Sequence, residues 1–234
     1  MAQKTQKTKD PIQNVEEALT KTELFIEKNR TILLGTLAGV IVIIGGFLAY
    51  KQYVVKPAEL EAQSASFKAE IYFEKDSFNL ALNGDKKGTQ GFLAIIDEFG
   101  SSKTGNLAHY YAGICYLNLG KFQEAIDQLD QYDGSDMITS AMAMGAKGDA
   151  LMEMNKTQEA IDQYVKAAGK SENQFSTPMY LMKAALGYED LGNYAKSIEI
   201  YTNIREKFFS TQEGREAEKY IARAQGMLDQ KGGK

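Results

Sequence analysis

AGICYLNLGKFQEA, residues 112–125, returns as KGDALMEMNKTQEA at 147–160 and as AALGYEDLGNYAKS at 184–197. Aligned, Gly120, Asn155 and Gly192 share one position, with spacings of 35 and 37 residues. Phe122, Thr157 and Tyr194 share a second, and Ala125, Ala160 and Ser197 a third. Each copy reads as a helix, a tight turn at the Gly or Asn, and a second helix. Gly and Asn tolerate the left-handed backbone that closes a helix. Gly113, Gly148, Ala125 and Ala160 are small where two helices cross closely, while Tyr116, Leu151 and Tyr188 fill the space between them. A period of this length marks a stacked helical solenoid, in which each unit buries its apolar face against its neighbours.

The periodicity extends in both directions. FLAIIDEFGSSKTG (92–105) aligns with YTNIREKFFSTQEG (201–214) at an offset of 109 residues, matching Phe92 to Tyr201, Ile95 to Ile204, Phe99 to Phe208, Ser101 to Ser210 and Gly105 to Gly214. A helix over 58–82 and one over 91–99 then form a divergent first unit. The first carries a stripe of Leu60, Ser64, Phe67, Ile71 and Phe78, and Asn83-Gly84-Asp85 ends it. Ser176-Thr177-Pro178 reads as a cap followed by a first-turn proline. Residues 213–228 form a closing helix over the last apolar face.

Upstream lies ILLGTLAGVIVIIGGFLAY, residues 32–50, with no charged residue between Arg30 and Lys51. A helix crossing the hydrocarbon core needs roughly 20 such residues. About thirty residues precede the run and no A-x-A-like site follows, so it reads as an uncleaved anchor rather than a signal peptide. Residues 1–31 hold six bases (Lys4, Lys7, Lys9, Lys21, Lys28, Arg30), against Lys51, Lys56 and Lys68 in the twenty after the run. That bias favours a cytoplasmic N-terminus and an exported C-terminal domain. Gly35 and Gly39 form a G-x-x-x-G, which is either a helix contact in the membrane or ordinary membrane-helix glycine.

The expected organisation is a cytoplasmic tail over 1–31, a transmembrane helix over 32–50, a solenoid over 57–230 and a disordered tail over 231–234. Within the first segment, residues 1–9 are disordered. Asp10-Pro11 then starts a short amphipathic helix carrying Ile12, Val15, Leu19 and Ile26.

Composition narrows the function. The chain holds 31 acids and 27 bases; five acids and eight bases precede Pro57, leaving 26 against 19 and a net charge of −7 on the exported part. Nucleic acid requires a basic face and is excluded as a partner. One histidine, His109, and one cysteine, Cys115, six apart in one helix, supply neither a zinc site nor a triad. No catalytic residue, metal or cofactor is expected.

The pattern of small residue, Gly turn, aromatic and Ala resembles the tetratricopeptide repeat family over roughly 106–209, strongly in the first and third units. The second departs from it with Thr157 for the aromatic and Leu151 for Tyr, and the repeat-ending proline is absent. The resemblance implies an all-α solenoid whose first helices line a concave groove. By that register the groove holds Leu107, Tyr110, Ile114, Met142, Asp149, Met152, Glu153, Met179, Met182, Glu189 and Asp190. Seven of the nine methionines lie between 137 and 182. Met142, Met152, Met179 and Met182 serve either the groove or the packing between helices, whereas Met144 and Met154 are assigned to packing. The bases that clamp a partner's terminal carboxylate in some family members are missing, and acids stand instead. A basic or apolar partner segment is expected rather than an acidic tail.

A short basic tail, one membrane helix and an exported tetratricopeptide array resemble the ancillary SecYEG translocon subunit family of the bacterial inner membrane. That resemblance implies a non-enzymatic scaffold, assisting export among Sec channel subunits, periplasmic chaperones or exported clients, with the lipid bilayer as a further partner. Envelope biogenesis or cell division is the alternative. An enzyme, or an organelle transport receptor with cytosolic repeats, fits the residues less well.

Overall fold

The computed structural model describes residues 11–134, 136–170 and 172–232, with side chains from Thr22 onward. The expectations for residues 1–9, for Asp10 as a cap, and for the side chains of Ile12, Val15 and Leu19 lie outside that range. Among the described residues every regular element is helical. The chain divides into two units, residues 1–57 and 58–234.

In the first unit, α1 runs without a break from Pro11 to Tyr50, so the helix expected before residue 31 continues into the apolar run. No Pro or Gly interrupts Lys28–Thr31, and Asn29 donates to the carbonyl of Phe25 at 2.8 Å, keeping the turn helical. Large apolar side chains from Leu24 to Tyr50 are exposed throughout. Thr36 returns its hydroxyl to the carbonyl of Ile32 at 2.8 Å, which satisfies the hydroxyl within the helix. Among the described residues one helix is long and apolar enough to cross a membrane, by length and composition, with mean hydropathy 2.5 over its apolar window. A π-helical turn, Lys51–Val55, follows. It comes just before Pro57, whose missing N–H and bulky ring disrupt regular α-helical bonding.

The second unit is a run of antiparallel helices. α2 (Lys56–Glu74), α3 (Phe78–Asn83) and α4 (Phe92–Phe99) come first. Three pairs follow: α5 (Lys103–Asn118) with α6 (Phe122–Gln131), α7 (Met137–Glu153) with α8 (Thr157–Gly169), and α9 (Ser176–Asp190) with α10 (Tyr194–Lys207). α11 (Gln212–Gly232) closes the array, burying Gly214, Ala217 and Ala224 against α10. It runs on through Lys231 and Gly232, so the expected C-terminal tail is helical at those two residues.

The three turns that join the pairs are alike. Gly120, Asn155 and Gly192 all have positive φ, at 71°, 59° and 67°. Close crossing depends on the small residues: a Cβ on Gly113 would lie 2.6 Å from Leu129, and one on Gly148 2.5 Å from the Tyr164 ring. The 109-residue echo is a repeated junction. Ser102 donates to the Phe99 carbonyl at 2.7 Å and accepts from Gly105 N–H at 2.9 Å. Thr211 does the same with Phe208 and Gly214, at 2.9 and 3.1 Å. Ile95 and Ile204 are fully buried in the corresponding helices.

Three details differ from the sequence expectation. The helix over 58–82 breaks at Asp76, which adopts a positive φ of 54° and separates α2 from α3. α2 buries Ala62, Ser66 and Ala69, not the Leu60–Phe67 stripe, because small side chains let it approach its neighbours closely while Leu60 and Phe67 stay exposed. α9 begins at Ser176, whose N–H donates to the Asn173 side chain at 2.7 Å, so Ser176 is its first residue rather than its cap. An aromatic cluster holds the first elements together. Phe73 meets Phe78, Phe92 and Tyr111 edge-on, and Phe92 stacks on Tyr111 at 5.0 Å between centroids.

Candidate partner groove

The first helices of the three pairs, α5, α7 and α9, carry the residues assigned to the groove. Asp149, Met152 and Glu153 come together on α7. With Leu117, Phe122 and Tyr164 they line an open depression of about 600 Å³. Leu107 lies elsewhere, in a hollow of about 370 Å³ between α2 and α5 with Glu59, Phe67 and Thr104. Tyr110 is only 8 % exposed. It packs against Leu129, Ala143 and Ala146, with Leu107 and Ile114 at the edge of the same cluster. Burial pushes its hydroxyl up to about 12. The residue joins α5 to α7 and presents no open surface.

The methionines divide. Met142 is exposed. Met152 and Met179 are half-buried at the margin of the cluster formed by α6 to α9, as are Met144 and Met154. Met182 edges the cluster formed with α10 and α11.

The acids also divide, in a way the sequence reading missed. Asp149 accepts the Tyr164 hydroxyl at 2.7 Å, and both its oxygens accept from Lys183 Nζ at 2.6 and 2.8 Å. Lys183 also lies over the Tyr164 ring at 5.6 Å. Glu189 repeats the arrangement one unit on, accepting Tyr201 Oη at 2.7 Å and Arg223 at 2.9 Å. Burial first, and the hydrogen-bonded carboxylate second, push both tyrosine hydroxyls well above their ordinary range. Glu189 in turn raises Arg223, chiefly through that hydrogen bond. Two of the four groove acids therefore already have cations, while Glu153 and Asp190 remain exposed. Each acid and its base are 34 residues apart, close to the repeat spacings of 35 and 37.

Elsewhere the chemistry is quiet. His109 Nδ1 lies 2.9 Å from Gln128 Oε1. Cys115 is fully buried, and that burial pushes its thiol up to about 12, leaving it protonated and shielded. Among the described residues no group of three His, Cys, Asp or Glu side chains is placed to hold a metal ion. On α1, a Cβ on Gly35 or Gly39 would meet nothing within 4 Å, so both open onto free space. The arrangement offers shape, methionine surface and two free carboxylates.

No protein-family model matches the sequence, and no curated protein matches it. Among solved structures the chain resembles one described as "Crystal structure of MamA", at 22 % identity and a TM-score of 0.41. The match covers 61 % of this chain and 92 % of that one.

Proposed function

We propose that this chain is a single-pass membrane protein that holds other proteins on the face of a tetratricopeptide-like solenoid. The observation that carries the reading is the same left-handed turn closing three successive helix pairs. A stacked array of this kind builds extended surface rather than an enclosed reaction chamber. The apolar run at 32–50 supplies the anchor, and the excess of bases before it favours a cytoplasmic N-terminus at a bacterial inner membrane. Within that setting the resemblance to the ancillary SecYEG translocon subunit family favours a non-enzymatic role in protein export, with Sec channel subunits and periplasmic chaperones as partners. Anchoring confines the search to two dimensions, so modest groove affinity suffices.

The test is site-specific photo-crosslinking of the full-length protein in its native membrane, with the reactive group at Met152, Glu153 or Asp190, and mass spectrometry of the adducts. Channel subunits and periplasmic chaperones at these positions support the export role. Cell-wall or division proteins without the channel move the scaffold to envelope biogenesis. Adducts no more frequent than from the α8 position Val165 end the groove assignment.

A further inference from the structure

The junctions between successive helix pairs lie along one edge of the second unit. Glu59, near the start of α2, accepts from the backbone N–H groups of Lys103 and Thr104 at the start of α5, at 2.8 and 3.4 Å. Asn106 exchanges two 2.9 Å bonds with Asp133, in the junction before α7. Gly134, in that junction, borders the same hollow as Lys170, where the junction before α9 begins. Ser210, before α11, donates to Gln174 at 3.5 Å. The tight turns at Gly120, Asn155 and Gly192 fall on the opposite edge, because the helices of each pair are antiparallel.

The junction edge carries four large apolar side chains: Met137 at 61 % exposure, Ile138 at 56 %, Phe175 at 67 % and Phe209 at 72 %. One exposed apolar residue needs no explanation, but four on one rim make that rim a candidate interaction surface. The opposite edge turns through Gly120-Lys121, Asn155-Lys156 and Gly192-Asn193, and its Leu119 and Leu191 are less exposed.

We infer that the junction edge contacts the lipid interface. The inference rests on the membrane-spanning reading of residues 32–50. Residues 51–57 are all that separate that run from the second unit, which begins at Ala58. Even fully extended, seven residues reach only about 25 Å. The tether therefore enters the second unit at this edge, beside Glu59. Phe and Met at such an edge bury apolar area at the boundary between headgroups and acyl chains. Asp133, Asp136, Glu172 and Glu213 stand on the same edge beside Lys103, Lys170 and Lys207. Apolar area, not attraction to anionic lipid, drives the contact, which therefore forms on zwitterionic phosphatidylcholine.

The chain contains no tryptophan, so a single introduced one is a clean reporter. Full-length variants Val42→Trp, Phe175→Trp, Phe209→Trp, Leu119→Trp and Leu191→Trp are placed in phosphatidylcholine nanodiscs, with and without brominated acyl chains. Fluorescence is expected to fall in brominated lipid at 42, 175 and 209, with a blue shift at 175 and 209, and to stay unchanged at 119 and 191. Quenching at 42 without quenching at 175 and 209 overturns the lipid-facing edge and leaves the membrane anchor standing. No quenching at 42 overturns the anchor, and the edge with it. Quenching at all five positions overturns the assignment of one particular edge.

Discussion

Lys183 reaches across from α9 to α7 to place its ammonium 2.6 and 2.8 Å from the two carboxylate oxygens of Asp149, 34 residues earlier. Arg223 stands 34 residues after Glu189 and binds it in the same sense, from α11 to α9. In both, a tyrosine from the intervening helix donates to the same acid, Tyr164 in one and Tyr201 in the other. The repeat thus propagates a polar tie as well as an apolar core. Each tie joins a helix to the next but one, α7 to α9 through Lys183 and α9 to α11 through Arg223.

Removing one member tests which part of the tie contributes most. Tyr164 is buried, so Asp149→Ala strands its hydroxyl and is expected to cost about 1–3 kcal/mol. The Asp149 and Lys183 side chains are each about a third exposed, and solvent screens their attraction. Their coupling in a double-mutant cycle of Asp149→Asn with Lys183→Met is expected to fall below about 1 kcal/mol. Thermal unfolding of the full-length protein in mild detergent reads both. A coupling several times larger would mean that the ion pair from α9, not the tyrosine bond from α8, contributes most of what Asp149 supplies.

Glu59 and Asp85 are two of the carboxylates that contribute to acid stability. Burial works against the charge on Glu59, but bonds from Thr104, Gln63 and the α5 backbone outweigh it and hold its carboxyl below the usual 4.5. Asp85 is held well below its ordinary range by the Tyr72 hydroxyl at 2.6 Å, then by the N–H groups of Thr89 and Lys87. A lowered folded value means that the unfolded chain takes up protons first as pH falls. The stabilisation is complete above about pH 4.5, the unfolded glutamate value, and is lost as pH drops through the folded values. Glu59→Ala is expected to cost about 1 kcal/mol at pH 7, as loss of a helix cap does. Its penalty should shrink toward pH 3. Melting curves between pH 7 and pH 3 check this, and a penalty that grows on acidification would contradict it.

The closing turns were legible from Gly120, Asn155 and Gly192 because few residues accept left-handed backbone, so the residue type carries the conformation. The buried face of α2 was not legible. Leu60 and Phe67 form the better apolar stripe, yet Ala62, Ser66 and Ala69 face inward, because closeness of approach decided the packing. Hydrophobic periodicity ranks side chains by transfer free energy and is blind to that choice. The ties at Asp149 and Glu189 were missed for a different reason. Their partners lie a full repeat away, and a local reading of charge sees only unpaired acids.

The repeated junction gives a matched pair of substitutions. A Cβ on Gly105 would lie 1.9 Å from the Phe99 carbonyl oxygen, and one on Gly214 1.9 Å from that of Phe208. Both obstacles are backbone, so neither relaxes by a rotamer change. Gly105→Ala and Gly214→Ala are each expected to cost about 2–3 kcal/mol, near the upper end for overpacking. Gly226→Ala, with open space around it, is expected to be neutral or slightly stabilising in α11. Equal losses at 105 and 214 would support a common junction. A neutral effect at either would mean that its turn reopens at little cost.

Pairing of Asp149 and Glu189 changes what the groove should attract. The sequence alone shows four acids and suggests a basic or apolar partner segment. With Lys183 and Arg223 in place, the free charge reduces to Glu153 and Asp190. The open apolar surface at Met142 and Met152 then carries more of the affinity, since a flexible thioether adapts to varied apolar chains. Met152→Asp is expected to lower crosslinking to the native partner about tenfold, equivalent to about 1.4 kcal/mol. Glu153→Gln with Asp190→Asn should change yield only modestly, and only at low salt, because exposed charges act on encounter more than on residence. Lys183 and Arg223 are already engaged, so a peptide ending in a free carboxylate should not compete. Tight binding of such a peptide to the purified full-length protein would refute this account. It would show that the two cations release their acids to receive a ligand.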